Sequence, residues 1–277
     1  MRLHSYQSRK FHISQVMKRY RKIIIAVIVI SGITSVLLKF TGMLADKFIF
    51  QPRKDTYPEL EGVKFLQVSP QSDRIAFRYT APKSSDAPVF LHCHGNAENL
   101  RSMAWRQEMF SSYGYGFFAF DYEGYGRSSG KASEAAAKRD VLAAWNYLTA
   151  EEKVPPSRIV IHGFSLGTGV ATFLASQVKE AKALILEAPF TSTYAVAHLQ
   201  WIPGNRFKSI DLISGIKFPV MIIHGDRDRI IPFSHGKMMY EKAPHNKQFF
   251  HVRGAGHNDL IATAGKSYWQ QIKDFLD

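Results

Sequence analysis

A serine flanked by glycines is the residue in this sequence best placed for nucleophilic chemistry. Residues 159–169 read IVIHGFSLGTG, in which Ser165 stands between Gly163 and Gly167. The β-branched run predicts a strand and the residues after the serine predict a helix, so Ser165 would occupy the sharp turn between them. Small neighbours leave its hydroxyl clear of both elements, and the amide of Leu166 can stabilise an oxyanion. The pattern therefore predicts a serine nucleophile.

A serine hydroxyl is a weak nucleophile unless a base and an orienting acid accompany it, and the chain offers both later in the sequence. Asp226 and Asp228 follow the apolar run VMIIHG, and His257 follows FFHVRGAG. The order serine, aspartate, histidine is one of the known chain orders of a catalytic triad. We predict His257 as the general base and one of the aspartates as its acid. Glu187, which follows another predicted strand, is the third and least favoured candidate for the acid.

A second cluster of polar residues lies in FLHCHGNAEN at residues 90–99. The turn that follows this predicted strand can supply a second oxyanion-binding amide, and we assign that role to the backbone N–H of Asn96. His92, Cys93 and His94 could instead form a metal site, but no matching ligand set is present in the sequence. Neither a metal nor an organic cofactor is therefore expected.

The segments that must position these residues alternate between strand-like and helix-like patterns. This alternation predicts an α/β domain with a mostly parallel sheet covered on both faces by helices. The predicted strands are 62–69, 73–80, 88–93, 115–120, 158–162, 182–187, 219–224 and 247–252. The predicted helices are about 99–112, 133–149, 166–178, 233–243 and 259–276.

One stretch, residues 189–216, fits neither pattern cleanly, and we interpret it as a small cap. Its aromatic side chains suit an apolar acyl pocket, for which Phe190, Tyr194 and Trp201 are the candidates. The same side chains could equally pack the cap onto the rest of the domain. The sequence does not decide between these two roles.

Six segments, taken in their order and spacing, resemble the α/β-hydrolase superfamily. They are HGNAEN, DYEGYGRSSG, GFSLG, EAPF, HGDRD and GAGHND, and they are similar to those of the lysophospholipase, depalmitoylase and serine-aminopeptidase-like branch. The resemblance covers the domain at 61–277 and implies an eight-stranded, largely parallel sheet whose first strands are antiparallel. It maps the acid onto Asp228 and leaves Asp226 as a polar neighbour. It implies no single substrate, because the fold hosts esterases, lipases, thioesterases, peptidases and dehalogenases.

The N-terminal part of the chain carries most of the excess charge. Residues 1–45 contain eight of the 36 Lys and Arg residues and none of the 23 Asp and Glu residues. The stretch 23–45 is uncharged apart from Lys39 and would form about 34 Å of helix, enough to cross a bilayer. We predict a basic segment at 1–22, a single transmembrane anchor at 23–45 and a linker at 46–60.

The distribution of basic residues around this anchor predicts its orientation. Most bases precede it, so the N-terminus should be cytoplasmic and the domain should lie on the periplasmic, extracellular or luminal side. The alternatives are a cleaved signal peptide, which would also export the domain, and a buried soluble helix.

Charge and composition narrow the function classes that remain. Beyond residue 45, 28 basic residues stand against 23 acidic ones and no nucleic-acid motif is present, so no nucleic-acid partner is expected. The single cysteine, Cys93, excludes an intramolecular disulfide scaffold. We predict a membrane-anchored serine hydrolase that cleaves carboxylic esters or thioesters of an acyl lipid or another acylated substrate. A serine peptidase or amidase of the same fold, and a non-catalytic anchored binding domain, are the alternatives.

Overall fold

A computed structural model describes residues 31, 46–47, 49–54, 60–68, 73–196 and 205–277. The chain divides into two units, residues 1–44 and 45–277, and every described residue except 31 belongs to the second. The predicted basic segment and, apart from residue 31, the predicted anchor lie outside the described residues. Within the described ranges, no helix combines the length and the apolar character that a bilayer crossing requires.

The described part of the domain is built on a sheet of eight strands. The strand order is β1-β2-β4-β3-β5-β6-β7-β8. The β1–β2 and β2–β4 pairs are antiparallel, and the other five pairs are parallel. The strands are β1 Lys64–Gln67, β2 Arg74–Thr80, β3 Val89–Cys93, β4 Gly116–Phe120, β5 Ile159–Phe164, β6 Ala183–Glu187, β7 Val220–Gly225 and β8 Lys247–Val252. The predicted eight-stranded, mostly parallel sheet with antiparallel first strands is confirmed.

Helices follow the parallel strands along the chain. Those in the described ranges are α1 Ala104–Ser112, α2 Glu134–Asn146, α3 Leu166–Gln177, α4 Thr193–Val196, α5 Ser209–Leu212, α6 Phe233–Lys242, α7 Leu260–Ala264 and α8 Lys266–Leu276. The side chain of Ser133 caps α2 by accepting a hydrogen bond from the Ala136 amide at 3.0 Å. Gly265, at φ 55°, separates α7 from α8 and divides the single helix predicted at 259–276.

Five central strands, β3 to β7, are buried along their whole length, because helices cover both faces of the sheet. Alternate residues of each strand enter two separate apolar layers. Val170 of α3 and Met239 of α6 belong to one layer, whereas Phe110 of α1 and Trp269 of α8 belong to the other. α1 and α8 therefore share one face of the sheet.

The described residues 46–47 and 49–54, which fall in the predicted linker, pack against the rest of this domain. Phe50 is 3% exposed, and its ring lies 6.1 Å from that of Phe207. The Asn96 side-chain amide donates to the Ile49 carbonyl at 2.5 Å, and its oxygen accepts from the Gln51 amide at 2.9 Å. This segment is thus held by a buried aromatic ring and by hydrogen bonds to the turn after β3.

Replacing Phe50 with Ala should lower the free energy of unfolding by about 3 kcal/mol, because it removes a buried aromatic ring and leaves a cavity. Gln51→Ala truncates the exposed side chain next to it and should change that free energy by less than about 0.5 kcal/mol. Urea unfolding of the full-length chain, followed by tryptophan fluorescence, measures both. Equal midpoints for the two variants would contradict the packing of this segment.

Candidate active site

Ser165 occupies a sharp turn between β5 and α3 that glycines on both sides make possible. Its backbone lies at φ 52° and ψ −119°, a conformation that side-chain-bearing residues rarely adopt. A Cβ on Gly167 would lie 2.0 Å from the Cys93 carbonyl oxygen, and one on Gly163 would lie 2.6 Å from the Gly167 carbonyl oxygen. Only glycine fits at either position, so the G-x-S-x-G spacing has a steric cause.

His257 joins Ser165 to Asp228 through both of its ring nitrogens. Nε2 lies 2.8 Å from the Ser165 hydroxyl oxygen, and Nδ1 lies 2.7 Å from Oδ2 of Asp228. The other carboxylate oxygen of Asp228 accepts hydrogen bonds from the Ile230 and Ile231 amides, each at 2.8 Å. The aspartate is thereby fixed while it faces the imidazole. The structure brings together the three residues predicted as nucleophile, base and acid.

A second histidine, His224 at the end of β7, also contacts Asp228. Its Nε2 lies 3.4 Å from Oδ2 of Asp228 and 3.0 Å from the Ile231 carbonyl oxygen. Burial alone would raise the pKa of Asp228, but hydrogen bonds from His224 and His257 outweigh it and hold that pKa below its usual value. The carboxylate therefore stays ionised. Sequence reasoning missed His224, although its position at a strand end just before the acid was visible.

The two other candidate acids are engaged elsewhere. Asp226 accepts a hydrogen bond from the Gly254 amide at 2.7 Å and pairs with His251 at 3.0 Å. Glu187 is fully buried and pairs with Arg106 at 3.0 Å, with further hydrogen bonds to His162 and Tyr268.

The environment of Glu187 determines whether its carboxyl group is ionised. Burial raises its pKa, but the Arg106 guanidinium and His162 reverse the shift and lower that pKa below its ordinary value. Glu187 is therefore a buried carboxylate balanced by a buried guanidinium.

The two predicted oxyanion amides come from segments that touch each other. Leu166 is the first residue of α3, so its N–H has no intrahelical acceptor. Asn96 lies in the turn after β3. The helix α3 approaches that turn so closely that a Cβ added to Gly167 would lie 2.7 Å from the His94 carbonyl oxygen. The Asn96 side-chain oxygen also accepts from the Tyr125 hydroxyl at 2.7 Å. The turn is thus held from two sides.

The structure describes two of the three side chains predicted for the substrate pocket. Phe190 is 3% exposed and belongs to the core. Tyr194 lies on the short helix α4, where its amide donates to the side-chain oxygen of Asn205 at 3.1 Å. Trp201 lies outside the described residues. Of the two predicted roles, packing onto the domain describes Phe190.

A cavity of about 410 Å³ borders the triad at a different place, between α1 and the helices α7 and α8. His257 and Phe164 contribute to its lining, and their rings lie 5.2 Å apart. We call this cavity the α1 groove. The apolar residues that line it include Trp105, Met109, Tyr113, Ile261, Ala262 and Trp269. Sequence reasoning did not identify these residues as functional.

Comparison with known proteins gives relatives for the chain and for its fold. The model of the alpha/beta hydrolase fold family matches residues 88–208. Alpha/beta hydrolase domain-containing protein 17C of Mus musculus is 37% identical over 227 residues, which cover 79% of this chain and 69% of that protein. The related protein 17B of Xenopus laevis is 36% identical over 220 residues, 76% of this chain and 74% of its own.

Solved structures show the same architecture. The esterase Pf2001 of Pyrococcus furiosus superposes with a TM-score of 0.66 at 20% identity, covering 82% of this chain and 97% of that one. Est1E of Butyrivibrio proteoclasticus, solved with ferulic acid, superposes with a TM-score of 0.63 at 18% identity, covering 76% of this chain and 99% of that one. At these identities the likeness concerns the fold alone.

His94, in the turn after β3, should make the domain less stable in mild acid. Burial lowers the pKa of His94 from 6.5 to about 4, so between these values the unfolded chain binds a proton that the folded chain does not. Stability should therefore fall as the pH drops through this window. From pH 7 to pH 5, His94 should account for about 2 kcal/mol of the loss in unfolding free energy.

Replacing His94 with Gln removes the group that titrates. Urea unfolding at pH 7 and pH 5 should show a smaller pH-dependent loss in His94→Gln than in the unchanged chain. The control is His245→Gln, at an exposed histidine, which should keep the full loss. An equal loss in all three proteins would show that His94 takes up a proton in the folded state.

Proposed function

Because this chain belongs to the alpha/beta hydrolase family, we propose that it is a serine hydrolase that cleaves carboxylic esters or thioesters. The observation that supports this proposal most directly is the pair of hydrogen bonds at His257, to Ser165 at 2.8 Å and to Asp228 at 2.7 Å. A hydroxyl, an imidazole and an ionised carboxylate, hydrogen-bonded in this order, form the triad that activates a serine as a nucleophile.

The proposed reaction begins with proton transfer from Ser165 to Nε2 of His257 as the serine oxygen attacks the substrate carbonyl. Asp228 accepts the Nδ1–H hydrogen bond throughout, which fixes the tautomer and stabilises the imidazolium that forms. The amides of Asn96 and Leu166 donate to the tetrahedral oxyanion. His257 then protonates the departing alcohol or thiol, and an acyl group remains on Ser165. Water, deprotonated by the same histidine, releases the acid and restores the enzyme.

The sequence supports a location and a substrate class. We take residues 23–45 as a transmembrane anchor, with the N-terminus cytoplasmic and the domain on the opposite side, from the length of the apolar stretch and the basic residues before it. An anchored domain would meet acyl groups at the bilayer surface. We therefore propose acyl lipids or lipid-modified proteins as substrates, in keeping with the resemblance to lysophospholipases and depalmitoylases.

Ser165→Ala should lower kcat for p-nitrophenyl butyrate by about 10⁶-fold, because no other group takes over the attack. His257→Ala should be similarly severe, and the double variant should be no worse than either single one. The control is Ser176→Ala, at a serine of α3 whose hydroxyl donates to the Phe173 carbonyl; this variant should keep full activity. If Ser165→Ala retained most of the activity, the proposed nucleophile would be wrong. Aminoacyl amides in parallel assays would detect peptidase or amidase activity.

The side chain of Asn96 should affect the rate, although only the backbone N–H of this residue would contact the substrate. Asn96→Ala removes the hydrogen bonds to Ile49, Gln51 and Tyr125 that hold this turn. A displacement of the oxyanion-binding amide by about 1 Å would lower kcat by about 10²-fold, with a smaller change in KM.

Tyr125→Phe is the graded control, because it deletes only one of these hydrogen bonds and should have a much smaller effect on kcat. Steady-state kinetics on p-nitrophenyl butyrate measure both variants. An unchanged kcat in Asn96→Ala would show that the side chain does not position the turn.

A further inference from the structure

We propose that the α1 groove binds the acyl chain of the substrate, an inference that rests on the proposed ester or thioester hydrolysis. The groove is lined mainly by apolar side chains and includes the base of the triad. Most of its lining residues come from α1, α7, α8 and the residues next to these helices, and none comes from the segment 189–216 where the sequence predicted an acyl pocket.

α1 carries an apolar stripe beside the face that packs onto the sheet. Trp105, Met109 and Tyr113 recur at every fourth position, so they align along one side of the helix over about 12 Å. Trp105 is 46% exposed and Tyr113 is 52% exposed, whereas Phe110, which belongs to the core layer, is fully buried. Met109 also packs against the core layer that contains Phe110, so the open apolar surface of the stripe lies at Trp105 and Tyr113. Apolar surface left open beside a reactive centre indicates a ligand site.

The groove borders the triad at His257. This residue lines the groove, and its Nε2 lies 2.8 Å from the Ser165 hydroxyl oxygen that would attack the substrate carbonyl. α1 follows β3, so Trp105 lies near the sheet edge where Ser165 stands. Tyr113 lies at the far end of the helix, stacked on Trp269 with ring centroids 4.1 Å apart. An acyl chain that enters beside His257 can therefore extend along α1 toward Tyr113.

The charges in the lining do not select an ionic ligand. Arg106 and Glu187 both border the groove, but they pair with each other at 3.0 Å and are 4% and 0% exposed. The Arg106 guanidinium also lies over the rings of Trp105 and Phe164, at 5.1 Å and 5.4 Å. Nε of Arg106 has no hydrogen-bond partner among the described residues, but the charge of the guanidinium is balanced by Glu187, so the pair offers no net charge to a carboxylate or phosphate. The remaining charged lining residue is Lys266, which is exposed. These features favour an uncharged chain.

Ala262 offers a way to fill the groove without disturbing the core, because it is exposed and lines the groove. Thr263 is the matched control, an exposed neighbour on the same helix that does not line it. The substrates are p-nitrophenyl esters of acetic, butyric, octanoic and decanoic acids. In the unchanged enzyme, kcat/KM should rise with chain length by up to about fourfold per methylene. Ala262→Trp should lower the ratio of octanoate to acetate kcat/KM by at least about tenfold, and Thr263→Trp should leave this ratio unchanged.

Two outcomes would overturn the acyl assignment. One is an unchanged ratio in Ala262→Trp, particularly if Tyr194→Ala lowered it instead, since the acyl chain would then bind at the cap. Acetates of long-chain alcohols, assayed alongside, give the other: if Ala262→Trp lowered kcat/KM for these esters alone, the groove would hold the leaving group. Failure of the proposed function itself has a different signature, because the unchanged enzyme would then hydrolyse none of these esters.

Discussion

The hydrogen-bonded connection from Asp228 through His257 to Ser165 requires three distant parts of the chain to meet at one place. Its three members lie beyond the carboxyl ends of β5, β7 and β8, which a parallel sheet places along one edge. β6 lies between β5 and β7, and its last residue, Glu187, balances Arg106 beneath the same edge. The order of the strands therefore determines which side chains can meet.

The approach of α3 to the turn after β3 is the steric condition for this arrangement. Gly167 has no room for a side chain against the Cys93 carbonyl, and Ser165 has a backbone conformation that costs of order 1–3 kcal/mol. Such strain persists only where the surroundings enforce it. The Ser165 amide donates to the Glu187 carbonyl at 3.0 Å, and Asn96 fixes the neighbouring turn through residues 49 and 51. The segment that follows the proposed anchor is thus part of the support of the site.

Much of the fold could be predicted because its strands are short apolar runs between clear turn residues. The predicted strand 247–252 coincides with β8, and the other strands differ from their predictions by at most two residues at either end. The candidate triad could be predicted as well, since each member follows such a run. The exact helix ends could not. Apolar periodicity continues across Gly265, and only the backbone conformation there separates α7 from α8.

Features that depend on contacts between distant segments were beyond sequence reasoning. No local pattern links Asn96 to Ile49, because the contact joins residues 47 positions apart. The stripe at Trp105 and Tyr113 has ordinary helical spacing, which usually indicates the buried face. The structure shows that Phe110 fills that face instead and leaves the stripe open. Phe190 illustrates the converse, since an aromatic residue in a predicted cap proved to be part of the core.

His257 is proposed to make the Ser165 hydroxyl a nucleophile by accepting its proton. The most direct test of this role is the rate at which a fluorophosphonate modifies the full-length chain, with the modified peptide identified by mass spectrometry. We expect a single adduct on Ser165, formed rapidly in the unchanged protein and at least about 10³-fold more slowly in His257→Ala. An adduct on another residue, or equal rates in the two proteins, would contradict this role.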